Sequence, residues 1–97
     1  MSMLTQERVR EALPALPGWT LTSEGGRSCL RRTIQTGSFI KGLGLVTQIA
    51  ILAEKADHHP DVLLTYPRVE LTLTTHSAGG LTEKDLALAG EISRLVS

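Results

Sequence analysis

Hydrophobic and polar residues recur along the chain with two different periods, which together predict three helices and four strands. The spacing of three and four residues that is typical of amphipathic helices occurs in three segments: residues 5–13, 39–57 and 82–95. The alternation that is typical of half-buried strands occurs in four segments: residues 19–23, 27–34, 62–66 and 69–76. The predicted order is helix, hairpin, helix, hairpin, helix.

This order predicts an α+β fold in which three helices pack on one face of a four-stranded antiparallel sheet. Helices and hairpins that are segregated in this way favour an antiparallel sheet over a doubly wound parallel sheet. Residues 1–97 are expected to form a single domain, because the length is close to the commonest domain size and the 41% hydrophobic content can supply one core.

The longest apolar run stops against two adjacent histidines, which mark the end of the central helix. Ser38 is the expected N-cap, because its hydroxyl can accept a backbone N–H of the first turn. Pro60 cannot continue a helix and disfavours helical geometry in the residue before it, so His58 and His59 are expected at the C-terminal end. The predicted apolar face comprises Phe39, Leu43, Val46, Ala50 and Ala53, widened by Leu45, Ile49 and Leu52.

Two glycines lie inside this helix. Gly42 and Gly44 each cost about 1 kcal/mol of helix propensity relative to alanine, and a close approach of the helix to the sheet would explain them. The apolar run is too short, and too often interrupted by residues such as Lys41 and Gln48, to span a bilayer. The chain also opens without a charged-then-apolar leader, so no membrane association and a cytoplasmic location are expected.

The amino-acid composition limits the kinds of molecule that the protein is expected to bind. Ten basic and ten acidic side chains give a formal net charge of zero, so no global field attracts nucleic acid or anionic lipid. The three aromatics, Trp19, Phe39 and Tyr66, are too few for a base-stacking platform. Cys29 is the single cysteine, so no intrachain disulfide can form and a reducing compartment is the simpler assumption. A small neutral molecule or another protein is the expected partner.

Five ionisable residues form the candidate site: Glu54, His58, His59, His76 and Asp85. His58 lies at a helix C-terminus one turn after Glu54, and both features favour its imidazolium form, as suits a proton donor. The loop after His76 leads into the helix that presents Asp85, so this carboxylate can return to orient an imidazole. Each residue alone has an ordinary structural explanation, but together they indicate proton transfer.

Two other chemistries compete with this interpretation. Glu54 and His58 are four residues apart and could share a metal on one helix face, with His76 as a third ligand. Covalent catalysis is less favoured, because Cys29 and the serines are far in sequence from the histidines and no Gly-x-Ser-x-Gly elbow is present.

The spacing of these residues resembles the signature of the pterin-4a-carbinolamine dehydratase family, which is also known in animals as a dimerisation cofactor of a homeodomain transcription factor. The pattern is Glu54-x-x-x-His58-His59-Pro60, followed by Tyr66, His76 and Asp85 at intervals of six, ten and nine residues. The likeness extends from about Gly18-Trp19 to the C-terminus, and Phe39 and the step Ala53-Glu54-Lys55 also match it.

The resemblance implies a three-helix, four-stranded α+β fold that joins sheets into homodimers, often as dimers of dimers in a homotetramer. It implies loss of water from 4a-hydroxytetrahydropterin to give quinonoid dihydropterin, in pterin recycling beside aromatic amino acid hydroxylases. The implied partner is thus a small-molecule pterin, and no metal or organic cofactor is implied.

The resemblance also implies roles for the site residues. His58 and His76 would be the acid and base, His59 would hold or polarise the pterin, and Asp85 would fix an imidazole. Further contacts with the substrate are expected from Glu54, Asp57, Thr74 and Thr75, the last two through backbone groups near the ring edge.

One position departs from the family pattern. Many relatives carry a Pro-Glu-Trp step after the two histidines, whereas here the step is Pro60-Asp61-Val62. An aromatic wall of the pocket would then be missing. Relatives that resemble this family also serve as a transcription coactivator or a Rubisco assembly factor, so a protein-binding module is the alternative function.

Overall fold

A computed structural model describes residues 2–97 and confirms the predicted α+β fold and element order. The helices and strands are α1 (Gln6–Ala12), β1 (Thr20–Glu24), β2 (Arg27–Gln35), α2 (Phe39–Ala56), β3 (Asp61–Thr65), β4 (Arg68–Leu73) and α3 (Glu83–Val96). Two 3₁₀ turns, Leu13–Ala15 and His76–Ala78, follow α1 and β4. The last predicted strand therefore ends before His76, which lies in the second of these turns.

The four strands form one antiparallel sheet in the order β1-β2-β4-β3. Alternate residues of the two central strands face the helices, and Leu30 of β2 lies opposite Leu73 of β4. Leu30, Val69, Leu71 and Leu73 are fully buried, as the period-two pattern predicts. The edges of the sheet are β1 and β3.

The position of α2 on the sheet differs from the prediction. Its buried residues are Gly42, Ile49 and Ala53, so the predicted burial of Ile49 and Ala53 is confirmed. Phe39 and Leu43, assigned to the same face, are about half exposed, and Ala50 is also exposed. A Cβ at Gly42 would lie 2.6 Å from Leu64 Cδ1, so α2 sits against the sheet at this glycine. The close approach rotates the helix so that its smallest residue, rather than its largest, faces the strands. At Gly44 a Cβ would meet nothing within 4 Å, so close packing does not explain that glycine.

The C-terminal end of α3 is tied to the first hairpin through Ser93. Its Oγ accepts hydrogen bonds from Trp19 Nε1 at 3.1 Å and from Arg32 Nη1 at 3.0 Å. Burial lowers the pKa of Arg32, because a desolvated guanidinium loses part of its hydration. Trp19 is itself buried, so this contact fixes the hairpin against the helix layer. Across residues 2–97, no helix combines the length and apolar character needed to cross a membrane.

Candidate active site

The C-terminal end of α2 presents His58 through a left-handed residue. Asp57 has φ 50° and ψ 44°, and its backbone N–H donates to Glu54 O at 3.2 Å. The N–H of His58 donates to Ala53 O at 3.1 Å, which completes a Schellman-type cap. The chain therefore leaves the helix abruptly, and the imidazole of His58 turns toward α3.

His58 meets Asp85, in the first turn of α3. His58 Nε2 lies 2.5 Å from Asp85 Oδ1, and the Asp85 side chain is completely buried while that of His58 is 11% exposed. Asp85 Oδ2 accepts the backbone N–H of Thr82 at 2.9 Å and the hydroxyl of Thr75 at 2.8 Å. Thr82 and Asp85 form a capping box at the start of α3, which leaves one carboxylate oxygen for the histidine.

These contacts define the direction of each hydrogen bond. Both oxygens of Asp85 are used as acceptors, as suits a carboxylate. The hydroxyls of Thr75 and Thr82 are 2.9 Å apart, and since Thr75 donates to Asp85, Thr82 donates to Thr75. We therefore assign a hydrogen to Nε2 of His58, which leaves Nδ1 as the ring nitrogen that Asp85 does not engage.

His76 is exposed and begins the 3₁₀ turn next to this network. Its neighbour Thr75 donates to Asp85, and the turn is closed by hydrogen bonds between the backbones of Thr75 and Gly80 at 3.1 and 3.3 Å. The structure thus joins His58, Asp85 and Thr75 directly, and it places His76 at the adjacent chain position.

The second histidine of the pair has a different partner. His59 Nε2 contacts Glu54 Oε2, and both side chains are exposed. Glu54 was expected beside His58, but the left-handed Asp57 turns His58 away from the helix face that carries Glu54. Among residues 2–97, no group of three or more histidine, cysteine or acidic side chains is arranged to hold a metal ion.

A cavity of about 260 Å³ lies between α2 and β3, and its lining includes His59 but neither His58 nor His76. Ala53 forms part of its apolar wall, and Glu54, His59 and Pro60 border it on the side of the helix end. Val62, at the position where the family pattern has tryptophan, lines the same cavity. The cavity thus combines an apolar wall with a polar rim, as small-molecule sites commonly do.

The other residues that were expected to contact the substrate make contacts within the protein or cap α2. The hydroxyl of Thr74 donates to Ser28 O at 2.9 Å, and the backbone N–H and C=O of Thr75 bond to Gly80. Asp57 is an exposed cap whose conformation determines where His58 points. Sequence reasoning missed the hydroxyl of Thr75 as a partner of Asp85 and missed Ser28 altogether. The spacing of Thr75 and Asp85 contains no signal for their contact, which forms only when the turn folds back on α3.

Comparison with known proteins agrees with the fold and shows the family of this chain. A family model described as pterin 4 alpha carbinolamine dehydratase matches residues 2–95. A Mycolicibacterium smegmatis protein with the provisional name pterin-4-alpha-carbinolamine dehydratase is 42% identical over the whole of this chain and 99% of its own length. A Chloroflexus aurantiacus protein with the same provisional name is 43% identical and is covered to 99% in both chains.

Solved structures give the same result. A crystal structure of a transcriptional coactivator/pterin dehydratase from Brucella melitensis superimposes with a TM-score of 0.88 at 38% identity, over 99% of this chain and all of that one. A pterin dehydratase-like protein described as a RuBisCO assembly factor of the alpha-carboxysome shares the fold, with a TM-score of 0.69 at 20% identity over 86% of this chain and 94% of its own. Fold and site define an α+β protein with a buried aspartate–histidine pair. The chain belongs to the pterin-4-alpha-carbinolamine dehydratase family.

Proposed function

We propose that this protein dehydrates 4a-hydroxytetrahydropterin to quinonoid dihydropterin, with histidine side chains as general acid and base. The observation that carries the proposal is the contact of His58 with Asp85. A buried carboxylate fixes one nitrogen of the ring and leaves Nδ1 for proton transfer. Membership of a dehydratase family supports the same reaction class.

The proposed reaction transfers protons between the substrate and two imidazoles. One of His58 and His76 protonates the 4a-hydroxyl as its carbon–oxygen bond breaks, and the other accepts the proton lost from the ring. Water leaves, and the protein ends with the number of protons with which it began. A positioned acid or base typically gives on the order of 10²- to 10⁴-fold in rate, and hydroxide requires such help because it is a poor leaving group.

The pterin is proposed to bind across the end of α2, with one edge at the opening of the cavity between α2 and β3 and its reacting atoms toward His58, which does not line that cavity. His59 and Glu54 border this opening and can hydrogen-bond the polar edge of the ring, while the apolar wall receives its face. The carboxylate of Asp57 is proposed to contribute from the helix end. Thr74 is proposed to approach the ring edge through its backbone. The backbone N–H and C=O of Thr75 already bond to Gly80, so Thr75 is proposed to act through its hydroxyl contact with Asp85.

The direct test is to add the protein to chemically generated 4a-hydroxytetrahydropterin and to follow quinonoid product by absorbance. We expect acceleration over buffer that is lost in the double variant His58→Ala with His76→Ala. Gln48→Ala, on an exposed part of α2 away from the cavity, is the control and should retain full activity. No acceleration by the parent protein, or full activity of the double variant, would refute the proposed reaction.

Self-association is proposed as part of this function. Large apolar side chains remain exposed on α2 and on β3 and its following turn: Phe39, Ile40, Leu43, Ile51, Val62, Leu63 and Tyr66. An exposed surface of this kind commonly marks a protein interface, and β3 is also a sheet edge with unpaired backbone groups. A homodimer or homotetramer would cover both features.

A second candidate function is a protein-binding module without turnover. The same exposed apolar residues favour it, and the Brucella relative is described as a transcriptional coactivator as well as a pterin dehydratase. A stoichiometric partner captured from the native host, retained after His58→Ala with His76→Ala, would support this role. Capture that depends on the histidines would contradict it.

A further inference from the structure

We propose that Ser28 positions the turn that carries His76, an inference that rests on the dehydratase function proposed above. Ser28 lies in β2 and contacts both ends of the segment from Thr74 to Leu81. Its Oγ accepts the backbone N–H of Leu81 at 3.0 Å, and its carbonyl oxygen accepts the hydroxyl of Thr74 at 2.9 Å. One residue of the sheet therefore holds the entry and the exit of this segment.

The segment between these two contacts is a closed unit, which we call the His76 turn (residues 75–80). Thr75 and Gly80 exchange backbone hydrogen bonds, and Ala78 N–H donates to Thr75 O at 3.0 Å. We expect such a unit to keep its internal geometry. The position of His76 then depends on the contacts made by the residues on either side of the turn. Thr75 ties one side of the turn to Asp85 at 2.8 Å, and Ser28 fixes both flanks to the sheet.

The turn packs closely against the hydroxyl of Ser28. A Cβ at Gly80 would lie 2.7 Å from Ser28 Oγ, so the turn passes directly over the hydroxyl. Leu81 is completely buried, and removal of the Ser28 hydroxyl would leave its N–H without an acceptor from the protein. Ser28 and its cross-strand partner Ser23 lie on the same sheet face as Leu21 and Leu30. The contact with the turn explains why a polar residue occupies position 28 on this face.

Loss of the Ser28 hydroxyl should displace His76 relative to the His58–Asp85 pair. A displacement on the order of 1 Å at a reacting group can lower the rate about 100-fold, even when substrate still binds. The inference therefore predicts a fall in kcat with little change in KM. A purely structural role would lower stability and leave kcat unchanged in the folded protein.

The test compares Ser28→Ala with Ser23→Ala, which removes a hydroxyl from the facing residue of β1 that is exposed. For Ser28→Ala we expect kcat to fall at least about 10-fold with KM within about twofold. Amide hydrogen exchange at Ala78 and Gly80 should accelerate about 10-fold or more, with the amides of α3 unchanged. Ser23→Ala should match the parent in both measurements.

Ser28→Thr should restore the parental kcat, because it keeps the hydroxyl. Its extra methyl can enter the open hollow that Leu21, Ser23 and Ser28 line. If Ser28→Ala does not fold, Gly80→Ala combined with Met3→Ala perturbs the same contact from the turn side, because the new Cβ would otherwise also meet Met3 Sδ at 2.6 Å. This double variant should give the same loss of kcat relative to Met3→Ala alone. Unchanged exchange in the turn, or parental kcat in an active protein, would overturn the inference. If the parent itself does not accelerate dehydration, the proposed function fails and the exchange measurement still decides the role of Ser28.

Discussion

The imidazole of His58 and the carboxylate of Asp85 are 27 residues apart in the chain and 2.5 Å apart in the fold. The contact joins the end of α2 to the beginning of α3. Asp85 serves α3 as a capping residue with one oxygen and His58 with the other. One carboxylate therefore connects the local structure of a helix to the proposed chemistry.

Asp85→Asn should reduce kcat about 100-fold or more, because an amide nitrogen facing His58 would favour the tautomer with its hydrogen on Nδ1. It should also lower the free energy of unfolding by about 1 kcal/mol, since an uncharged amide oxygen would replace the carboxylate as acceptor for Thr82 N–H and the Thr75 hydroxyl. Steady-state kinetics and urea unfolding measure the two effects. Asp61→Asn, at an exposed carboxylate, is the control and should change neither.

Val62→Trp should lower KM for the pterin several-fold, because an indole at this position would stack on a ring bound at the mouth of the cavity. Leu63→Trp places the same ring on the opposite face of β3 and should leave KM unchanged. A rise in KM with Val62→Trp would instead mean that the substrate occupies the space that the indole fills.

Gly42→Ala and Gly44→Ala should affect stability differently, although both replace a glycine within α2. At Gly44 the new methyl meets open space, and the gain in helix propensity should stabilise the protein by about 1 kcal/mol. At Gly42 the methyl would meet Leu64 Cδ1 at 2.6 Å, and the overpacking, typically about 1–3 kcal/mol, should offset or exceed that gain. Equal effects in urea unfolding would contradict the close approach of α2 to the sheet.

Leu43→Glu should shift the protein toward a smaller assembly, because it introduces a charge into the exposed apolar surface of α2. Light scattering coupled to size-exclusion chromatography measures the mass directly. Gln48→Glu introduces the same charge at another exposed position of the helix and should leave the mass unchanged. A parent protein that is monomeric at all concentrations would contradict the proposed self-association.

Local signals in the sequence predicted the elements well. Ser38 accepts the N–H of Lys41 at 3.2 Å, so this expected N-cap is confirmed, and Thr5 caps α1 in the same way by accepting the N–H of Arg8 at 3.1 Å. The alternation in β4 gave the correct buried face, because the side chains of a strand point to opposite sides regardless of what covers them. In α2 the apolar positions extend around much of the helix, so periodicity alone could not identify the face that packs on the sheet.

The sequence by itself therefore determined the α+β class, the order of elements, their caps, and the set of ionisable residues from which a site could form. Only the tertiary structure decided which of these residues are partners. Glu54 contacts His59 rather than His58, and Asp85 contacts His58, because a single left-handed residue, Asp57, redirects the chain at the end of α2. Helix and strand periodicities depend on neighbours within a few residues, whereas such contacts depend on how distant segments pack.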